Sequence, residues 1–173
     1  GQVRVEKCVG RLDALRQKLE GHMPEGVMGI GHTRWATHGR PADRNSHPHT
    51  DGSGKFVVVH NGIIENYLAL KEELIAKGVE FTSDTDTEVV AHLMADLFDG
   101  DMESTVKKVL KVIKGSYSLV FMCEAEQDKI ICTKKDNPLV IGLGEGENFI
   151  ASDIPAIINH TRRTFIMSDG EIA

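Results

Sequence analysis

Several things are scarce in this 173-residue chain, and each scarcity excludes something. It has only three cysteines, Cys8, Cys123 and Cys132, odd in number and far apart, so no disulfide framework is legible and reduced thiols are expected. No apolar run approaches the length of a membrane span, and no secretory signal is recognisable at the start, so a cytoplasmic protein is expected with no membrane partner. Basic residues are outnumbered, 20 Lys and Arg against 26 Asp and Glu, and form no tract. Nucleic acid is therefore excluded as a partner, because such binding rests on clustered positive charge. Aromatics make up 5% of the chain, with a single tryptophan.

What is present describes an ordinary globular domain. At 40% hydrophobic and 27% charged residues, a chain of this size buries roughly two thirds of its unfolded surface, enough for a core without metals or disulfides. One domain is expected over residues 1–173. The segment "QVRVEKCV" reads as strand-like and runs into a short polar helix at "RLDALRQKLEG", after which "MPEGVMGIGHTRW" reads as a loop leading into a short buried strand. "KFVVVHNG" is a β-branched strand that runs into an Asn-Gly turn, and "IIENYLALKEELIAKG" follows with helical spacing closed by Gly78. Val89, Val90, Leu93, Met94, Leu97 and Phe98 form one helical stripe, and "ESTVKKVLKVIKG" supplies a further helix. After Gly115 the pattern turns to short strands, "SYSLVFMCE", "KIICTKK", "LVIGLG", "NFIASD" and "RTFIMS", with a brief helical piece at "IPAIINH". This order predicts an α+β fold.

The densest chemistry lies in "GHTRWATHGRP", Gly31 to Pro41. Arg34 offers a planar fork of donors suited to a carboxylate, Trp35 could cover whatever is bound, and the glycines allow close backbone approach. His38, His47, His49 and His60 lie close together in sequence, yet without the spacing of a zinc site, so no metal is expected and hydrogen-bonding loop histidines are. Asn61 and Gly62 pair a carboxamide with an accessible N–H, a set that can hold an oxyanion, although taken alone Asn-Gly reads first as a plain turn. Thr85 and Glu88 match a capping box, and Asp86 between them could receive an ammonium. An Arg for a carboxylate and an Asp for an amine would define an α-amino-acid site. "GLGEGEN" is glycine-rich but carries Glu145 and Glu147, which would repel phosphate, and reads as a hairpin turn. Cys123 and Cys132 sit in apolar strands as small hydrophobes.

Taken together in this order, "HTRWATHG", "HPH", "VHNGIIENY", "SDTDTEV" and "KGSYSL" resemble the glutaminase domain of the glutamine-fructose-6-phosphate aminotransferase (isomerizing) family, class II glutamine amidotransferases of the N-terminal-nucleophile hydrolase superfamily. The resemblance covers the whole chain. It implies a four-layer αββα sandwich of antiparallel sheets, no cofactor and no metal. It also implies that a cysteine at the mature N-terminus attacks the glutamine side-chain amide, and that ammonia passes to a sugar-isomerase domain of the same full-length, homodimeric chain, which makes glucosamine 6-phosphate. Carried over, Arg34 holds the glutamine carboxylate, Asp86 its amine, and Asn61 and Gly62 the oxyanion. Thr37 and His38 line the pocket, Trp35 belongs to the closing loop, and His47 stands near the site. The start "GQVRVEKCVG" matches a point inside the family domain, so the expectation is an N-terminally truncated chain. It would lack the nucleophile, be unable to turn glutamine over, and leave a sheet edge open. The other readings are a domain of another class II amidotransferase, such as an amidophosphoribosyltransferase, and a non-catalytic amino-acid-binding module.

Overall fold

The computed structural model describes residues 2–35 and 39–173. Its elements in chain order are α1 (Leu12–Lys18), β1 (His49–Thr50), β2 (Phe56–Ile64), α2 (Tyr67–Ala76), α3 (Glu88–Leu97) and α4 (Met102–Val112). There follow β3 (Gly115–Cys123), β4 (Glu126–Lys135), β5 (Val140–Leu143), β6 (Asn148–Ala151) and β7 (Thr164–Ile166), with short 3-10 turns at Asp43–Asn45 and Ile154–Ala156. All pairings between these strands are antiparallel. One sheet runs β1-β2-β3-β4 and the other β6-β5-β7.

The two-residue period of the strands sets the layers. From β2 and β3, Phe56, Val58, Ile64, Leu119 and Phe121 face the helices, where Val89, Val90, Met94, Met102, Val106 and Val109 close the larger core. α3 lies against β1 and β2, with α2 and α4 packed at its sides. Alternate residues on the same strands, Val59, Val120 and Cys132, face the other way and meet Leu139, Ile141, Ile150 and Met167 of the smaller sheet and its flanks. The result is an α+β sandwich of antiparallel sheets with helices on the outer face of the larger one. Among the described residues, the layer beyond the smaller sheet is the turn around Ile154–Ala156, whose neighbour Ile157 is buried. The C-terminal residues lie along β4, where Cys132 and Ala173 exchange both main-chain hydrogen bonds at 2.8 and 2.9 Å.

Local chemistry explains most boundaries. Asp101 caps α4 by accepting the Ser104 N–H at 2.6 Å. "GLGEGEN" forms the β5–β6 turn, in which Gly144 N–H donates to the Glu147 carbonyl at 3.0 Å. Three expectations are corrected. The segments 2–9 and 27–35 form no strand, since they pair with no other strand among the described residues and an isolated extended segment is not stable as a strand. The strand through Val57–Val59 does not end in a turn at Asn61-Gly62. It runs on to Ile64 because Asn61 pairs with Ser118 and Gly62 with Tyr117 across β3, and the helix starts only at Tyr67. The Thr85–Glu88 capping box does not form. Glu88 reaches back to Thr82 and Ser83 instead.

Candidate active site

A cavity of about 900 Å³ opens where the strand ends of both sheets meet the loop 31–35 and the entry to α3. Arg34, Trp35, His47, Asn61, Gly62 and Asp86 all line it. These are six of the eight residues singled out from the sequence; Thr37 and His38 lie outside the described residues.

Asn61 and Gly62 reach the cavity because β2 continues past its buried half. The strand period turns Asn61 to the side of Val59, away from the helices. Gly62 has φ of 126°, and a Cβ there would lie 2.1 Å from the Ser116 carbonyl oxygen, so only glycine fits. Asn61 Oδ1 lies 2.7 Å from His32 Nε2.

Asp86 is 3% exposed, and its Oδ2 accepts the Ile64 main-chain N–H at 2.8 Å. Its loop is held from below by Glu88, whose carboxylate accepts Thr82 N–H and Oγ1–H at 2.8 Å each, Ser83 N–H at 2.7 Å and Ser83 Oγ–H at 2.5 Å. Burial alone would raise the Glu88 carboxyl, but His92 and the donors of Ser83 and Thr82 outweigh it and hold it well below the usual carboxylate range.

Arg34 is half-buried. Its Nη2 donates to the Gly39 carbonyl at 2.9 Å, and Nη1 lies 3.5 Å from that of Arg40. The same turn is bound to the Asp86 loop by Asn45, fully buried, which donates to the Arg40 carbonyl at 3.0 Å and to Asp84 Oδ2 at 3.1 Å and accepts Asp84 N–H at 2.9 Å. Asn45 thus joins the loop that holds the cation to the loop that holds the anion. Trp35 at the rim is 89% exposed.

Behind these groups stands a cluster of histidines. His47 Nε2 lies 3.2 Å from Thr87 Oγ1, which meets His60 Nδ1 at 2.9 Å, while Thr85 Oγ1 meets His49 Nε2 at 3.1 Å. The rings of His32 and His47 are 4.2 Å apart, and those of His47 and His49 4.9 Å. Burial pushes His49 down to about 3, with Lys7 lowering it further and Glu88 opposing, and pushes His60 down to about 4 against the raising effect of the Asp86 carboxylate. Burial likewise lowers His32, and lowers His47 further still. All four are neutral near pH 7, which is how four imidazoles tolerate one another. Among the described residues, no three His, Cys, Asp or Glu side chains converge as a metal site.

His32, Asn45 and Thr87 are the residues that sequence reasoning left without a role of their own, and Glu88 enters that reasoning only as a capping-box residue. His32 and Asn45 lay in plain view beside the motifs, in "GHTRW" and just ahead of "SHPH". Their roles depend on partners 29 and 39 residues away.

The sandwich of antiparallel sheets thus gathers an Asn-Gly pair, an arginine and a buried aspartate around one cavity. The chain belongs to the glutamine amidotransferase domain family, whose profile matches residues 32–159. It is 53% identical over its full length to the glutamine-fructose-6-phosphate aminotransferase [isomerizing] of Caldanaerobacter subterraneus subsp. tengcongensis, and equally to that of Aquifex aeolicus. It spans only 28% and 29% of those relatives' lengths. Among solved structures, it superposes on the glutamine phosphoribosylpyrophosphate amidotransferase of B. subtilis with a TM-score of 0.67 and 28% identity, covering 82% of this chain and 31% of that one. It also superposes on an allosteric regulatory enzyme of purine biosynthesis with a TM-score of 0.65 and 26% identity, covering 76% of this chain and 29% of that one. No helix among the described residues is long and apolar enough to cross a membrane.

Proposed function

We propose that residues 1–173 are one glutaminase domain of a longer protein that hydrolyses the side-chain amide of glutamine. The ammonia would pass to a sugar-isomerase domain of the same chain, which converts fructose 6-phosphate to glucosamine 6-phosphate in amino-sugar biosynthesis. The observation that carries this reading is the convergence of Arg34, Asp86, Asn61 and Gly62 on one cavity. A cation and an anion suit the carboxylate and ammonium of a free amino acid, and between them a carboxamide and a main-chain N–H suit the oxyanion formed when its amide is attacked. In this reading Trp35 closes over bound glutamine, Thr37 and His38 complete the pocket wall, and His47 supports it from behind. The names of the relatives favour fructose 6-phosphate as the acceptor over phosphoribosyl pyrophosphate, which the more distant structural neighbour uses by its name.

Attack on an amide needs a nucleophile and a base. Cys123 and Cys132 are buried, and burial pushes the Cys132 thiol up to about 11, the opposite of an activated thiolate. Cys8 lines a neighbouring hollow of about 650 Å³ and not the cavity itself. The reading therefore takes the nucleophile, a cysteine with its own free α-amino group as base, from outside these 173 residues. The full-length protein would act as a cytoplasmic homodimer.

The test is glutamate release from glutamine by the full-length protein and by the 173-residue chain, with fructose 6-phosphate and then phosphoribosyl pyrophosphate as the acceptor. Release by the full-length protein alone, stimulated by the sugar phosphate, is the expected result. Turnover by the short chain would give the chemistry to Cys8 and overturn the assignment of the nucleophile.

A further inference from the structure

His32 belongs to the loop that precedes Arg34 and has no counterpart in the roles assigned above. Its Nε2 is 2.7 Å from Asn61 Oδ1. An amide oxygen only accepts, so Nε2 carries the hydrogen and donates it. The other ring nitrogen, Nδ1, is buried with no partner in hydrogen-bonding geometry, which suits the bare lone pair of that tautomer; the His60 main chain near the ring offsets burial only in part. Burial keeps the ring neutral, with one hydrogen to give.

A carboxamide is nearly symmetric in shape, and its terminal torsion is broad, so an unrestrained asparagine presents oxygen or nitrogen with little preference. Only the nitrogen end can stabilise an oxyanion; the oxygen end would repel it. A donor fixed on Oδ1 removes the choice and turns Nδ2 away from His32. The donor is itself fixed, because the ring of His47 lies 4.2 Å from that of His32 with the planes 42° apart. His47 is tied through Thr87 Oγ1 to His60, the residue that precedes Asn61 in β2.

We propose that His32 is a positioning residue, whose Nε2–H holds the Asn61 carboxamide with Nδ2 toward the oxyanion of the hydrolysed amide. This rests on the reading of Asn61 as an oxyanion donor, so the experiment must separate the two. In the full-length protein, glutaminase kinetics are measured for His32→Leu, His32→Gln, Asn61→Ala and the His32→Leu/Asn61→Ala double variant. Loss of an oxyanion donor costs about 10²–10³ in kcat, and Asn61→Ala should do so. His32→Leu should lower kcat by about tenfold or more while glutamine KM stays within about twofold. His32→Gln, whose amide N–H can serve Oδ1, should recover about threefold or more of that loss. In the Asn61→Ala background, His32→Leu should change kcat by less than about twofold, because nothing remains to be positioned.

Equal losses from His32→Leu in both backgrounds overturn the positioning role and leave Asn61 as the donor. An Asn61→Ala variant with undiminished kcat overturns the reading of Asn61 and this proposal with it. Should His32→Leu not fold, His32→Phe keeps a ring against His47 without the N–H and carries the same comparison.

Discussion

Asp86 and Ile64 are joined by one hydrogen bond: the Asp86 carboxylate accepts the Ile64 main-chain N–H at 2.8 Å. The bond ties the entry of α3 to the end of the strand that carries Asn61 and Gly62. It makes the groups assigned to the substrate amine and to the oxyanion parts of one rigid unit.

That double duty predicts a separation of effects. Asp86→Asn keeps an acceptor for Ile64 and removes the charge, so stability should change by less than about 1 kcal/mol while glutamine KM rises about tenfold or more. Asp86→Ala also leaves the buried Ile64 N–H without a partner, which costs about 1–3 kcal/mol. Urea denaturation beside glutaminase kinetics distinguishes the two; equal stability of both variants would remove the structural half of the role.

Arg34→Lys in the full-length protein should weaken glutamine use by about tenfold or more, since a point charge cannot reproduce a planar fork. Lysine also loses the paired reach to the Gly39 and Arg40 carbonyls. An unchanged glutamine KM would place Arg34 outside the pocket.

Gly62→Ala should destabilise the protein by about 2–4 kcal/mol, because the new Cβ meets the Ser116 carbonyl and the backbone lies at positive φ. Chemical denaturation reads this directly. A loss below about 0.5 kcal/mol would mean that β2 and β3 separate at this point more easily than their register implies.

The buried histidines predict acid lability. His49, which faces Lys7, Glu88, Arg34 and His32, and His60, which faces Asp86 and His32, both have folded pKa values below that of the unfolded chain. As pH falls below about 6.5 the unfolded chain takes up protons first, so stability is whole above that pH and is lost below it. Each contributes up to about 1.4 kcal/mol per pH unit. Glu88, also lowered, adds to the loss only once pH drops below about 4.3. Urea midpoints across this range should fall, and His49→Gln should flatten the slope; a flat profile in the parent protein would contradict the neutral cluster.

Trp35 is the only tryptophan and lies at the rim of the cavity, 89% exposed. Saturating glutamine should shift its emission to the blue if the loop closes over the ligand. A spectrum unmoved at saturation would remove Trp35 from the lid.

The sequence alone determined the parts of this protein that local periodicity encodes. The stripe from Val89 to Phe98, the β-branched run in "KFVVVHNG" and the apolar runs in "SYSLVFMCE" and "KIICTKK" became α3, β2, β3 and β4 because amphipathic spacing and side-chain shape act within a few residues. The motif order around Arg34, Asn61 and Asp86 likewise placed the cavity. Tertiary structure decided what those local rules leave open. Asn61-Gly62 is a turn by composition and a strand in fact, because pairing with Ser118 and Tyr117 supplies hydrogen bonds that a turn would forgo. Glu88 abandons its capping box because Thr82 and Ser83 offer four donors in a buried place where a carboxylate needs them all. The direction of the Asn61 amide has no local signal whatever, since it is set by a histidine 29 residues away that only the folded chain brings into contact.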